Sequence, residues 1–254
     1  IDAEPVMTDS TETSSAPAFD AAALIASLPS LPGVYRMLGS AGEVLYVGKA
    51  INLRRRLRTH FAPRRWRGLK TPLARAAQAD WEEVGSELEA LLREAVLIRE
   101  RQPVVNVQVG APAREGRAVP PALVRDVLLV LPSVAEGHAE LIGARAEGGW
   151  LQIRAPRPLG SSRDDDSGGR DSGSGVSASL GTIARRVFRF FRSPLPVRED
   201  PSLLAPLVFS WLAGRGQAAT RLDPREWETP DGLSVRLEKL LADRDLFTER
   251  LEVR

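Results

Sequence analysis

Only two tyrosines occur among the 254 residues, and each belongs to a short triplet with valine and glycine. Tyr35 closes residues 33–35 (Gly-Val-Tyr), and Tyr46 opens residues 46–48 (Tyr-Val-Gly). A phenol can donate or accept a hydrogen bond, and glycine leaves backbone that a ligand can approach closely. Two phenols beside bare backbone could therefore bind a small polar group, although tyrosine is also a strand former that often only packs.

A hairpin would bring the two triplets together. Residues 39–42 (Gly-Ser-Ala-Gly) are a turn signal between two β-prone runs, which predicts a hairpin with a loop of about four residues. If that loop is symmetric, Tyr35 lies directly across from Tyr46, and Gly33 lies across from Gly48. Residues that are directly opposite share one face of a hairpin and lie close together.

The segment after the hairpin predicts a short helix. Asn52 is a candidate N-cap for residues 53–61, in which apolar side chains recur every four positions. Arg56 and His60 are four residues apart on one side of the apolar stripe, whereas Arg55 points nearly the opposite way. We therefore expect Arg56 and His60 to face a cleft at the edge of the core.

The same region is strongly basic. Between positions 44 and 79 there are ten cations and no acidic residue, although the net charge of the chain is only +2. A basic segment of this density suits a phosphate backbone and makes nucleic acid the favoured partner. The cations expected to bind DNA are Lys49, Arg54, Arg55, Arg58, Arg64, Arg65, Arg67 and Lys70. A solvated helix face is the alternative for Arg55 and Arg58.

A longer helix is predicted to begin near Ser86, which with Glu89 has the spacing of a capping box. Within this helix, Glu94 has apolar residues at all four of its i±3 and i±4 positions. A carboxylate is rarely placed in such surroundings without a cation or a metal ion to compensate it. Glu94 is therefore a candidate metal ligand, and an ion pair with an arginine such as Arg56 is the alternative.

These motifs together resemble those of GIY-YIG nucleases, with valine replacing isoleucine in both triplets. From about residue 28 to residue 109 the chain is similar to the N-terminal nuclease domain found in the C component of excinuclease ABC. The resemblance implies an α+β fold, in which helices flank a small antiparallel three-stranded sheet in the order β-β-α-α-β-α. The matching segments are residues 31–37, 44–50, 52–54, 87–92, 102–103 and 106–107.

Carried over position by position, the resemblance implies seven functional residues. They are the two motif tyrosines, a lysine, a helix arginine, a histidine, the metal-binding glutamate and a closing asparagine: Tyr35, Tyr46, Lys49, Arg56, His60, Glu94 and Asn106. Val105 stands where the family usually has tyrosine, which concerns local packing more than chemistry. Every catalytic position is kept, and this disfavours a degenerate domain that only binds.

The activity implied by the resemblance is hydrolysis of a DNA phosphodiester with one divalent metal ion. Glu94 would hold Mg²⁺ or Mn²⁺ through oxygen, and Arg56 would stabilise the charge that develops in the transition state. The substrate would be DNA with a particular structure or lesion, in repair or recombination.

The general base has two candidates. Tyr35 is preferred, with Lys49 as the cation that lowers the pKa of its phenol, while Tyr46 positions the water or the phosphate. His60 would contact the phosphate. It is also the alternative base, because the ordinary pKa of histidine is better matched to neutral pH.

The remainder of the chain predicts a second small α+β domain without a catalytic constellation. The predicted organisation is a disordered segment (1–24), the nuclease domain (25–109), a linker (110–120) and an accessory domain (121–254) with a flexible loop (160–176). Strands are expected near residues 124–131, 138–146, 150–155 and 219–222, and helices near residues 180–192, 201–212 and 234–242.

Composition excludes several classes of site and location. There is no cysteine, so a disulfide framework and a cysteine zinc site are both excluded. No apolar run reaches transmembrane length and no secretory segment opens the chain, which predicts a cytoplasmic bacterial protein without a membrane partner.

The sequence contains neither a helix-hairpin-helix pair nor a second carboxylate-rich nuclease region, so we expect a standalone nuclease with its own accessory domain. The alternatives are a module that binds DNA without cutting it and a protein that recruits other repair proteins.

Overall fold

The computed structural model has the α+β architecture that the sequence predicted, and both of its sheets are antiparallel. The residues that the structure describes are 20–61, 75–108, 119–158, 172–194, 204–243 and 246–247.

The first half of the chain (residues 20–108) contains a three-stranded sheet in the order β2-β1-β3. Strand β1 is therefore central and β2 is an edge strand. The predicted order of elements is confirmed in the described residues, and the second helix expected between β2 and β3 falls on residues 62–74, outside them. The elements are α1 (Ala21–Ser27), β1 (Gly33–Leu38), β2 (Val44–Ala50), α2 (Leu53–His60), β3 (Gln78–Glu83), α3 (Glu87–Arg101) and α4 (Val104–Gln108). Helix α1 shows that residues 21–24 are helical, although the sequence predicted disorder up to residue 24.

The hairpin register differs from the prediction by two residues. Gly48 lies opposite Tyr35 and not opposite Gly33, so both predicted pairings are wrong and the two tyrosines are diagonal neighbours. The loop contains five residues (39–43), and an irregularity next to Leu38 places one further residue in β2. Each change shifts the pairing by one position. Because side chains alternate along a strand, two shifts return every side chain to its predicted face.

The helices that carry the candidate residues begin where their capping residues predict. The Asn52 side chain accepts a hydrogen bond from the backbone N–H of Arg55 at 2.9 Å. At the start of α3, the Ser86 hydroxyl accepts from the N–H of Glu89 at 3.2 Å. The Glu89 carboxylate accepts from the N–H of Gly85 at 2.7 Å instead of completing the capping box at Ser86. It thereby satisfies a donor one residue further upstream.

The two faces of the first sheet pack against different helices. Tyr35 and Met37 lie on the face covered by Leu53 and Leu57 of α2. Val34, the strand residue just before Tyr35, lies on the opposite face, which packs against α3. The alternation of side chains along the strands therefore decides which of them pack against α2 and which against α3.

The second sheet has the order β6-β5-β4-β7. The strands and helices predicted for this half are present: β4 (Val127–Pro132), β5 (His138–Ala144), β6 (Trp150–Pro156), α5 (Ser172–Arg192), α6 (Leu204–Gly214), β7 (Thr220–Leu222) and α7 (Pro230–Ala242). Helix α5 begins at Ser172, so residues 172–176 are helical although the sequence predicted a flexible loop over residues 160–176. The earlier part of that loop lies outside the described residues.

The two halves share a hydrophobic core. Leu88, Leu91 and Leu92 of α3 pack against one face of the second sheet and against α6, while α5 and α7 cover its other face. Gly85 permits this close approach, since a Cβ atom there would lie 2.0 Å from the Pro132 carbonyl oxygen. The segments that the structure describes include no helix with the length and apolar character needed to cross a membrane.

Candidate active site

The two tyrosines lie side by side on the face of the first sheet that α2 covers. Their ring centroids are 5.9 Å apart, and the rings are tilted by 49°. Tyr35 is fully buried, with 0% of its surface exposed, and Tyr46 is half-buried. Gly48 makes room for this pair, because a Cβ atom there would lie 2.6 Å from Cζ and Oη of Tyr35 and 2.8 Å from the Tyr46 ring. The glycine of the second triplet is therefore a packing requirement of the phenols.

Arg56 of α2 is the cation beside these phenols. The pKa of its guanidinium is raised, chiefly by Tyr35 and also by Tyr46, against an opposing effect of burial. The spacing along α2 predicted this orientation, since Arg56 flanks the apolar stripe that packs on the sheet.

The surroundings of Tyr35 favour its neutral form. Burial raises the pKa of its phenol well above the ordinary value, and Tyr46 raises it further. Arg56 lowers the pKa of Tyr35 but does not overcome these effects. The buried hydroxyl is therefore better suited to donating a hydrogen bond than to removing a proton, which disfavours Tyr35 as the general base.

Lys49 does not act on Tyr35, so this prediction is wrong. Neighbouring residues of a strand point to opposite faces, and Lys49 follows Gly48, which faces Tyr35. The Lys49 ammonium instead lies 3.3 Å from Glu87 Oε1 on α3. Both of these side chains are 15% exposed.

The side chains of Glu94 and Asn106 form hydrogen bonds with backbone groups on the free edge of β2. Glu94 is half-buried, and its Oε1 accepts a hydrogen bond from the backbone N–H of Lys49 at 3.0 Å. The side chain of Asn106 accepts from the N–H of Val47 at 2.8 Å and donates to the carbonyl of Val47 at 3.0 Å. Asn106 is buried and acts as a short extension of the sheet. It holds the part of β2 that carries Tyr46, and we regard it as a positioning residue.

The donor set around Glu94 fits an ion that takes few ligands from the protein. No group of three or more histidine, aspartate or glutamate side chains that could hold a metal occurs in the described ranges. Mg²⁺ is usually held by one or two carboxylates, and waters and substrate phosphates complete its shell. A single half-buried carboxylate at a strand edge is therefore compatible with Mg²⁺ or Mn²⁺.

Apart from Lys49, the residues expected to bind DNA fall into three groups. The Arg54 Nε donates to the carbonyl of Leu28 at 2.7 Å, so this arginine joins α2 to the segment that precedes β1. Arg55 and Arg58 are exposed on α2. The remaining predicted cations, together with the side chain of His60, lie outside what the structure describes: Arg64, Arg65, Arg67 and Lys70.

Sequence reasoning missed two residues of this site. Glu87 is not among the predicted site residues, yet its Oε1 pairs with both Lys49 and Arg215, which belongs to the second half. Glu87 lies seven residues before Glu94, a spacing that places both on one side of α3 and could have indicated it. Arg215 had no local signal, because its contact depends on how α6 packs against α3.

Comparison with known proteins identifies the first half. Residues 31–107 match the family model of the UvrC-like GIY-YIG domain, so this segment is a UvrC-like GIY-YIG domain. Related sequences include the UvrABC system protein C of Nitrosomonas europaea, 42% identical over 94 residues, and that of Natronomonas pharaonis, 47% identical over 85 residues. These matches cover 35% and 33% of this chain, and 15% and 14% of the relatives. The chain thus matches only a small part of the length of these relatives.

One solved structure with the same type of domain is the GIY-YIG N-terminal endonuclease domain of UvrC from Thermotoga maritima, bound to its catalytic divalent cation, magnesium. It is 31% identical to this chain, with a TM-score of 0.29, and the match covers 33% of this chain and 92% of that one.

Proposed function

We propose that this protein is a metal-dependent endonuclease that hydrolyses DNA phosphodiester bonds in repair or recombination, at DNA with a particular structure or lesion. One observation carries the proposal: within a UvrC-like GIY-YIG domain, strand β2 places Tyr46 beside Tyr35 and Arg56, while the backbone of Lys49 on the same strand binds Glu94. Phosphodiester hydrolysis requires charge neutralisation and an activated water, and these residue types can supply both.

The role that we propose for each residue follows from its surroundings. Arg56 stabilises negative charge on the phosphate, because it is already aimed at the polar ends of the phenols. Tyr35, which is fully buried, keeps its proton and acts on the reaction through its neighbours Tyr46 and Arg56. The proton acceptor is then Tyr46 or His60. An unperturbed histidine titrates at about 6.5 and an unperturbed phenol at about 10, so the pH dependence of cutting distinguishes them.

Glu94 is the residue that would hold the divalent cation, by the carboxylate that also fixes the backbone of Lys49. When bound, the cation supplies Lewis-acid stabilisation of the phosphoryl oxygens and the leaving group. The protein contributes the rigid placement of the carboxylate, since α3 is anchored by its leucines in the shared core.

A cleavage assay on a panel of nicked, flapped, cruciform and damaged duplexes, with Mg²⁺ or Mn²⁺, tests the proposal. We expect metal-dependent cutting by the wild type and a loss of about 100-fold in Arg56→Ala, as for other groups that stabilise charge in a transition state. Arg101→Ala is the matched control, because Arg101 is exposed at the end of α3. Its activity should equal that of the wild type.

Binding of the same DNA without any cutting would instead favour a non-catalytic DNA-binding module. Equal cutting by Arg56→Ala and Arg101→Ala would remove Arg56 from the reaction.

A further inference from the structure

The second half of the chain contributes a cation to the candidate active site. Arg215 directly follows α6, and its guanidinium pairs with Oε1 of Glu87. The same oxygen accepts the ammonium of Lys49 at 3.3 Å. A single carboxylate oxygen therefore joins one cation from each half of the molecule.

The packing around Arg215 fixes its position. Gly216 lies directly on the ring of Trp211, where a Cβ atom would come within 2.4 Å of ring atoms. Arg221 donates to the carbonyls of Gly216 and Gln217 at 2.9 and 2.8 Å. The turn that carries Arg215 is thus held on both sides.

Glu87, the partner of Arg215, lies on a helix that is anchored in the core shared by the two halves. Helix α6 packs against leucines of α3, the helix that carries Glu87 and Glu94. The meeting of Arg215 with Glu87 therefore follows from the contact between these two helices.

Sharing one carboxylate between two cations changes what Lys49 can do. If Glu87 bound Lys49 alone, it would neutralise the ammonium and hold it away from other anions. Arg215 takes part of the charge of Glu87 and leaves Lys49 with more attraction for a phosphate. Because the side chains of Lys49 and Glu87 are only 15% exposed, solvent screens this competition less than on an open surface.

We propose that Arg215 is a positioning residue contributed by the second half, which sets how firmly Glu87 holds Lys49 and thereby how strongly Lys49 binds a DNA phosphate. The inference rests on the proposed function and adds to it a residue outside the UvrC-like domain. It also gives the second half a role at the site, since this half supplies the second cation.

Kinetics and DNA binding of matched variants test the inference. Arg215→Ala should raise KM for cutting by about threefold to fivefold with little change in kcat, the size expected for a partly exposed ion pair. Arg215→Lys, which keeps the charge, should restore most of the affinity. Arg225→Ala is the control, because Arg225 is also exposed and paired with an acid, Asp223, and should behave as the wild type.

A double-mutant cycle separates this coupling from a general loss of structure. In a Glu87→Gln background, Lys49 is no longer held by a full charge, so adding Arg215→Ala should change KM no further. In a Lys49→Ala background, Arg215→Ala should likewise have no further effect. Urea denaturation of each variant shows whether the fold is kept.

The same cycle is measured as Kd for a fluorescent duplex without metal. If the wild type binds DNA but cuts none, the proposed function fails while the affinity cycle still tests Arg215. Equal KM and Kd for Arg215→Ala and Arg225→Ala would overturn the inference. A loss in Arg215→Ala that persists in full with Glu87→Gln would also overturn it, because Arg215 would then act on DNA without Glu87.

Discussion

Tyr35 and Tyr46 are the same residue type on one face of one sheet, yet they are suited to different chemistry. Tyr35 is enclosed by α2 and by the Tyr46 ring, so ionising it would place a charge where solvent cannot reach it. Tyr46 lies nearer the surface, at the edge strand. The sequence shows the pair of phenols but not their depth, because depth depends on which helix covers them.

Tyr35→Phe tests the role of the buried hydroxyl. We expect the cutting rate to fall by about 100-fold, the lower range for a residue that assists proton transfer in a transition state. The pH midpoint of the remaining activity should not move, because the pKa of Tyr35 is raised and the group keeps its proton throughout the neutral range. The measurement is the pH–rate profile of both proteins, with substrate saturating. A midpoint that disappears or shifts in Tyr35→Phe would identify Tyr35 as the base after all.

Strand β2 is the element on which the site depends. One edge of β2 pairs with β1, and its free edge binds the side chains of Glu94 and Asn106. Tyr46 lies on one face of the strand and Lys49 on the other. Four consecutive residues, 46–49, thus meet α2 on one face and α3 on the other. A change in how this strand lies should alter the site more than it alters the stability of the fold.

Gly48→Ala is the sharpest test of β2. The added methyl group would lie 2.6 Å from the Tyr35 hydroxyl oxygen, so the phenol must move. Overpacking of this kind costs about 1–3 kcal/mol of unfolding free energy, and cutting should fall further than stability alone explains. Gly181→Ala is the control, since its nearest neighbour would be 3.9 Å away. It should stabilise α5 by about 0.5–1 kcal/mol. Urea denaturation and the cleavage assay together check both variants, and full activity in Gly48→Ala would refute the tight packing.

At this scale the sequence predicts most of the architecture. The hairpin, the capped helices and the strands of the second half all follow from local patterns such as turn residues, caps and apolar spacing. The register of the hairpin does not, because a five-residue loop and an irregularity at Leu38 leave only weak local signals. The face of each tyrosine was nevertheless predicted correctly, since a total shift of two residues keeps every side chain on its face.

On the scale of the whole molecule, α3 belongs to both halves. Its polar side carries Glu87 and Glu94 towards β2, while its leucines enter the core shared with the second sheet. Nothing local in the sequence indicates this, because the partners of α3 in the shared core come from residue 119 onward. The boundary expected at residues 110–120 stays a prediction, but the division of the chain into a nuclease domain and an accessory domain understates their contact.

A partly buried polar cluster joins the halves and should make their contact depend on pH. The Gln152 amide donates to Glu89 at 3.2 Å and to Glu140 at 3.3 Å, and Arg154 Nε donates to Glu140 at 2.6 Å. Burial raises the pKa of Glu89, and the nearby Glu140 raises it further. Hydrogen bonding from Gly85 and the charge of Arg154 oppose this rise without cancelling it.

The linked effect on stability has a definite sign. The pKa of Glu89 is higher in the folded state than its ordinary value of 4.5. The stability that Glu89 contributes is therefore fully present below pH 4.5, and it is lost as pH rises through the folded-state pKa. The wild type should therefore lose unfolding free energy over this window relative to Glu89→Gln, which keeps an acceptor for Gly85. Urea denaturation of both proteins from pH 4 upward measures the difference, and parallel pH dependences would contradict the prediction.

Glu94 is central to the proposed reaction, because its carboxylate binds the edge of β2 and would hold the divalent cation. The direct test is the rate of DNA strand scission as a function of Mg²⁺ concentration for the wild type and Glu94→Gln, with Glu100→Gln, an exposed residue of the same helix, as the control. We predict saturation with Mg²⁺ for the wild type and the control, and a loss of at least about 100-fold for Glu94→Gln. Scission by Glu94→Gln with the wild-type rate and the same Mg²⁺ dependence would contradict the assignment of this site as a metal-dependent nuclease centre.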